Sequence, residues 1–521
     1  MKFASLFRAP SGPPPEKGQV PNSAGGHAFR LGPLAALDRF LILGSESGTY
    51  YASPRALTQD AAARTIDLIR SDGEAVVRRI VEVSVAGRAP KNDPAIFALA
   101  LAATHGDDAT RAAALAAVPT VCRTGTHLFG FAEAVGGMRG WGRGLRRAVG
   151  SWYVGKTPAE LEFGMVKYAR RGGWSHRDLL RLAHPVPPSD AHRELFRWAA
   201  KGGDAPTGAL RIAAAERLKD PALSGAEIAE LVREARLPRE AVPSERLTDP
   251  VVWEALLAEM PLTAMVRNLA TMTRVGLLTP GSEATRRVVS VLADGGRIRR
   301  AGLHPLAILL AARTYASGRG FRSKETWEPV SEIVGALDEA FVLAFDAVEP
   351  AGKRWLLGID VSGSMDGARV AGSPLTAAEA AAALAMVALR TEASAVPMAF
   401  STHFAPLPLT PGQRLDDVLR VTRDLSFGGT DCALPMLWAK KAKQEVDVFA
   451  VFTDNETWAG TVPPVRALRE YREATGIAAR LVVYGLTATS FTIADPEDAG
   501  MLDVVGLDAA APSVVADWAR D

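Results

Sequence analysis

A chain of 521 residues with 48% hydrophobic content and a net formal charge of +2 can bury two or more cores, and is too balanced to be a disordered polyelectrolyte. Its two cysteines, Cys122 and Cys432, lack the spacing of a zinc site, a haem site or a disulfide framework, which predicts a reducing, cytoplasmic setting. No run approaches the roughly 18 uncharged apolar residues of a membrane helix, the nearest being DPAIFALALAATHG at 93 to 106, so a soluble protein is expected.

Residues 1 to 18 carry basic side chains but no continuous apolar stretch before prolines interrupt them, and are expected to form a flexible leader rather than a signal peptide. From about Asp60 to Phe345 follow Ala- and Leu-rich segments such as AIFALALAATHG, DATRAAALAAV, THLFGFAEAVGGM, GALRIAAAERLKD and GAEIAELVREARL. Their apolar residues recur three or four apart, so each helix alone would expose a stripe that only a neighbouring helix can cover. Stacked antiparallel helix pairs are predicted. No signature recurs at a fixed period, which favours an irregular all-α array.

Charge is unevenly shared. Residues 1 to 350 hold 45 Lys and Arg against 37 Asp and Glu, whereas residues 351 to 521 hold 15 against 21. Between Met138 and His184 there are ten basic residues and three acidic ones, so a polyanion would be drawn there, although charge alone fits a solvated face equally well. Arg143, Arg146 and Arg147 fall on one helical face, and Lys167, Arg170 and Arg171 recur three and four apart, which predicts a second helix with a cationic edge for phosphates. On the residues alone, His184, before Pro185 at a helix end, and His127, among apolar neighbours, both read as structural histidines. Trp141, Trp152, Trp174 and Tyr168 interleave with the cations and are mostly expected in the core, with Trp174 beside a helix cap formed by Ser175 and Asp178.

Beyond EPAGK at 349 to 353 the pattern changes to short apolar runs, RWLLGIDVSG, VPMAF, VDVFAVFTD and RLVVYGL, alternating with helical segments. That alternation predicts an α/β unit with a parallel sheet covered on both faces. Ligands of such sheets bind at the carboxyl ends of the strands, where Asp360, Ser362 and Ser364 alternate after the first strand. One carboxylate and two hydroxyls suit Mg²⁺ or Mn²⁺, but equally a turn satisfied by its own backbone. Asp454 ends a second strand, and Thr430 follows two glycines before a helix, bringing three loops to one edge. No nucleophile stands beside a base, and no second acidic cluster suggests two-metal hydrolysis.

These three loops together resemble the metal-ion-dependent adhesion site of von Willebrand factor A domains. Five further stretches, LDRFLILGSESGTYY (37 to 51), CRTGTHLFGF (122 to 131), WGRGLRRAVGSWY (141 to 153), VKYARRGGWSHRDLLRLAHP (166 to 185) and EMPLTAMVRNLATMT (259 to 273), resemble, in order, the TROVE domain of Ro autoantigen proteins. The resemblance covers about residues 20 to 521 and identifies a bacterial-type member of the Ro family. It implies a HEAT-like ring of helical repeats over 19 to 350, closed by a Rossmann-like von Willebrand A domain over 353 to 521. Asp360, Ser362, Ser364 and Thr430 would ligate a divalent cation, Mg²⁺ or else Mn²⁺, with Asp454 acting directly or through water; TDNE stands here where many relatives have TDG.

The resemblance further implies that Lys167, Arg171 and His184 contact a small non-coding Y RNA on the outer surface. Single-stranded ends of misfolded RNA would enter a central hole whose inner wall includes Arg267 and Asn268. Such proteins are monomeric, non-enzymatic scaffolds in RNA quality control and stress survival, linked in bacteria through Y RNA to an exoribonuclease such as polynucleotide phosphorylase. The competing reading is a metal-dependent adaptor that captures an acidic side chain of a protein partner, with RNA secondary.

Overall fold

The computed structural model describes residues 13–22, 25–43, 54–89, 91–303, 305–320, 324–344, 350–368, 375–413, 417–418, 420–421, 428–454, 457–487, 491–505 and 511–520. The amphipathic segments form helices where their periodicity places them, including Asp93–His105, Asp108–Ala116, Gly125–Arg139, Leu210–Arg217 and Gly225–Ala235. Side-chain caps set several helix starts: Asp107 accepts from the Thr110 amide, and Thr157 with Glu160 (before the helix Pro158–Lys167) and Ser224 with Glu227 form reciprocal capping boxes.

The helices bury their stripes in two successive cores. The first runs from Leu37 to Ile212 around Phe129, Phe131 and Tyr153. The second starts at Ala214, gathers Trp253, Leu337 and Phe341, and continues without a break into one face of the C-terminal sheet through Trp355, Leu357 and Ile359. Helical array and sheet are thus welded by shared apolar burial at the junction.

The sheet contains β5 (Arg354–Asp360), β6 (Ser394–Phe400), β7 (Phe404–Pro406), β8 (Val448–Thr453), β9 (Arg480–Gly485) and β11 (Met501–Val505), in the order β11-β9-β8-β5-β6-β7. Within β5, Trp355, Leu357 and Ile359 face the second core while Leu356 faces a third, built with Phe400, Phe449, Val451 and Tyr471. Burial on both faces explains why the strands read as continuous apolar runs. The expected all-parallel sheet is corrected at one edge: β7 pairs antiparallel with β6. Only Ser401 to His403 separate these strands, too few residues for a parallel crossover.

At the other end of the chain, β1 (Gln19–Pro21) pairs with β2 (His27–Arg30), and β2 pairs with β10 (Phe491–Thr492) of the C-terminal domain. Phe29 is buried in the third core. Glu16 pairs with Arg466 at 2.6 Å, and the Asn22 amide donates to the Thr457 carbonyl at 2.8 Å. The helix Pro33–Leu43 then enters the first helical core through Leu37, Phe40 and Leu41, while its Arg39 pairs with Asp503 of β11 at 2.6 Å, the two side chains 3% and 13% exposed. Both ends of the helical region are therefore fastened to one domain, and the ring closes within a single chain.

Gly26 marks the tightest point of that closure, because a Cβ there would lie 2.0 Å from the Thr457 carbonyl oxygen. Gly26→Ala is expected to lower unfolding free energy by about 1 to 3 kcal/mol through overpacking, as read from urea titration of the full chain.

Candidate nucleic-acid interface and metal centre

The helix Arg143–Val154 buries Leu145, Ala148, Val149 and Trp152 and leaves Arg143, Arg146 and Arg147 exposed on one face. Trp152 is core, its indole donating to the Cys122 carbonyl. Gly150 lies one turn beyond Arg146 and Arg147, and a Cβ there would meet Pro185 at 3.6 Å. Pro185, next to His184, therefore packs close to this helix at Gly150. His184 closes the helix His176–Ala183 in the left-handed region (φ 47°, ψ 54°) and is exposed. Ser175 and Asp178 form the expected capping box, and Trp174 packs on Trp141 with ring centroids 5.6 Å apart.

The predicted helix through Lys167, Arg170 and Arg171 does not exist. The helix Pro158–Lys167 ends at Lys167, and β3 (Arg170–Arg171) pairs antiparallel with β4 (Trp174–Ser175). Between them Gly172 and Gly173 adopt φ +56° and +83°, the positive values a two-residue hairpin requires. The double glycine was the legible signal. As neighbours on a strand, Arg170 and Arg171 point to opposite sides of the ribbon. Lys167 is half-buried, its Nζ 5.4 Å from the rings of Phe163 and Tyr168. Arg177 and Arg181, not singled out by the sequence, are also exposed, seven and three residues ahead of His184.

Arg171 lines a cavity of about 730 Å³ together with Lys91, Arg123, His127, Arg267 and a single described acid, Asp93. Helices of both helical cores form its walls, including Gly125–Arg139, Leu262–Arg274 and Pro305–Ala316. Arg267 stands where the inner wall was expected, whereas Asn268 turns its amide back onto the Ala264 carbonyl at 2.8 Å. Arg123 is held by the Ser84 carbonyl and hydroxyl, both at 2.9 Å. Burial, reinforced by Arg123, pulls the His127 imidazole down to about 4, so it is neutral at physiological pH.

At the carboxyl edge of the sheet, Asp360 ends β5 beside Thr453 of β8, whose hydroxyl donates to Asp360 Oδ2 at 2.7 Å. The Ser362 amide donates to Asp360 Oδ1 at 2.9 Å, and the Ser362 and Ser364 hydroxyls lie 3.1 Å apart. Thr430 enters from the loop before the helix Leu434–Ala442, and Asp454 follows β8. Exposure is 0% for Asp360, 1% for Ser362, 6% for Ser364, 0% for Thr430 and 1% for Asp454. Burial first, and the Asp454 charge second, raise Asp360 above the usual carboxylate range.

The buried Thr430 hydroxyl has no hydrogen-bond partner among the described residues. Two adjacent buried carboxylates and a hydroxyl held in reserve form a hard-oxygen set that fits a divalent cation. Asn455 and Glu456 of TDNE lie outside the described residues.

Residues 20–204 and 234–314 match the family described as the TROVE domain, and residues 354–519 match the Ro60 vWA domain. The chain is 44% identical to a Deinococcus radiodurans protein named RNA-binding protein RO60, over 96% of this chain and 95% of that one. It belongs to the Ro family. A Caenorhabditis elegans protein of the same name is 37% identical over 96% of this chain and 89% of its own length. The crystal structure of the Deinococcus radiodurans RO (RSR) protein superposes with a TM-score of 0.73 at 44% identity, covering 94% of this chain and 99% of that one. The bacterial-type Ro architecture, a helical TROVE region followed by a von Willebrand A domain, thus agrees with the arrangement of cores and sheet.

One buried group beneath the Ro interface reports on its integrity. His176 is 5% exposed, shares a 2.8 Å hydrogen bond with the Tyr153 hydroxyl, and is pulled down to about 4 by burial. Its folded value lies below the unfolded one, so the stability it contributes is full above about pH 6.5 and is lost as pH falls toward 4. The loss approaches about 3 kcal/mol. The stability gap between the native protein and His176→Gln, measured by urea unfolding, is expected to narrow from pH 7 to pH 4.5.

Proposed function

We propose that this chain is an RNA-binding scaffold of the Ro type, without catalytic activity of its own. The observation that carries this reading is a set of exposed arginines left without carboxylate partners. Among the described residues, Arg143, Arg146, Arg147, Arg170, Arg171, Arg177 and Arg181 form no salt bridge with a carboxylate. They leave their donors to an outside polyanion, and Arg171 connects the outer face to the cation-lined cavity. The names of the relatives point the same way.

In its finer form, Lys167, Arg171 and His184 hold a small non-coding Y RNA, supported by Arg143, Arg146, Arg147 and Arg170. The single-stranded end of a misfolded RNA enters the cavity, where Arg123, Arg171 and Arg267 meet phosphates. A cation, Mg²⁺ or else Mn²⁺, sits at Asp360, Ser362, Ser364, Thr430 and Asp454. The protein works as a monomer in the cytoplasm, in RNA quality control under stress, and meets an exoribonuclease such as polynucleotide phosphorylase through its Y RNA. The adaptor reading is weaker, because side chains at most 6% exposed give a partner carboxylate little access to the ion.

Counterion release predicts the test. Alanine at Arg143, Arg146 and Arg147 together should flatten the dependence of log affinity on log salt by about 2 to 3 for a structured small RNA. A mobility-shift titration at several salt concentrations reads this, and unchanged affinity and slope would remove RNA from that face. The purified protein should leave RNA intact; degradation that disappears in Asp360→Ala would replace the scaffold by a nuclease.

A further inference from the structure

The ring-closing contacts and the metal-edge loops are built from the same few hydrogen bonds. Thr430 is held through its carbonyl, which accepts from the Trp458 amide at 3.0 Å, the Ala459 amide at 2.9 Å and the Thr457 hydroxyl at 3.3 Å. The carbonyl of that same Thr457 receives the Asn22 amide at 2.8 Å and is the atom against which Gly26 packs. Asn22 is itself fixed by Gly26, whose amide donates to Asn22 Oδ1 at 2.9 Å and whose carbonyl accepts from the Asn22 amide nitrogen at 2.9 Å. Displacing residues 22 to 26 therefore frees the segment that positions Thr430.

A second relay reaches the other loop. The Thr487 hydroxyl donates to the Asp454 carbonyl at 3.3 Å, and the Thr487 carbonyl accepts from Arg39 Nη1 at 3.4 Å, while Arg39 Nη2 is paired with Asp503. Asn22, Arg39, Thr457 and Thr487 are at most 7% exposed, so these bonds are made away from competing water. The N-terminal segment thus bears on two of the three loops that supply cation ligands, once through Thr457 and once through Thr487.

We propose that residues 19 to 39 and the divalent cation are coupled ligands of the C-terminal domain. Cation binding at the Asp360 edge strengthens ring closure, and ring closure raises cation affinity. Linkage requires this: if docking orders the loops that hold Thr430 and Asp454, the cation meets a prepared site, and the reciprocal effect must be equal in size. A cation in this place acts as a clasp on the ring, which suits the near-complete burial of its ligands. The proposal rests on the metal reading given above.

The test uses the full chain, stripped with chelator and titrated with Mn²⁺ alone. Mn²⁺ should slow hydrogen exchange of the amides at 19 to 30 by about fivefold or more, and Asp360→Ala should abolish that effect. In the reverse direction, Asn22→Ala and, separately, Thr487→Val should each weaken Mn²⁺ binding in calorimetry by about fivefold or more. Thr487→Val keeps side-chain shape and carries the test if Asn22→Ala does not fold. Mn²⁺ that binds the native chain but leaves exchange at 19 to 30 unchanged, with both variants binding as tightly, would overturn the coupling while the metal site stands. A native chain that takes up no Mn²⁺ would overturn both.

Discussion

The structure depends on closing a helical array whose two ends would otherwise each present an apolar face to water. Stacked helices bury their stripes only against neighbours, so the terminal members need caps. Here one domain caps both ends: the second helical core runs directly into the face of β5, and the first is returned to the same domain by β2, β10 and the Arg39 pair with Asp503. An ion pair this deeply buried stabilises only if its remaining donors and acceptors are satisfied. The Thr487 carbonyl meets that condition only in part, since among the described residues Asp503 Oδ1 has no hydrogen-bond partner, so the pair contributes chiefly by specifying which surfaces can meet.

Closure also gives the charges an inside and an outside. The Arg143–Val154 helix and the helix ending at His184 carry cations on the outer face, while Arg171, across the ribbon from Arg170, contributes to the cavity with Arg123 and Arg267. Low exposure keeps His127 neutral among these cations, so the cavity wall is less self-repelling than its composition suggests. The C-terminal domain has the acidic excess, and at its sheet edge the Asp454 charge adds to burial in raising Asp360. The exposed cations and the buried hard-oxygen set are thereby kept on separate elements of one closed path.

The helices and most of the sheet were legible because periodicity of three to four, or continuous apolar runs, reflects burial that any tertiary arrangement must satisfy. Arg143, Arg146 and Arg147 were placed correctly for that reason, their helix being defined by Leu145, Ala148, Val149 and Trp152 on its other side. Lys167, Arg170 and Arg171 were misplaced because spacing between cations carries no burial constraint, and two glycines with positive φ override it. The antiparallel β7 escaped notice since three residues of polar-capped strand carry no distinctive pattern. Arg177 and Arg181 are left exposed because His176, Leu179 and Leu180 define the buried side of their helix.

By itself, the sequence determined most element types, the two-part organisation, the excess of cations before His184 and the oxygen-rich loop after β5, because each follows from local periodicity or composition. Only the tertiary structure decided that Arg171 faces a cavity, that the helical region shares its core with the sheet, and that Asn22 and Arg39 close the ring against the loops carrying Thr430 and Asp454. Those contacts join residues more than four hundred positions apart. No local pattern encodes such pairings, since they arise only when the whole array has curved back to its starting point and two surfaces fit.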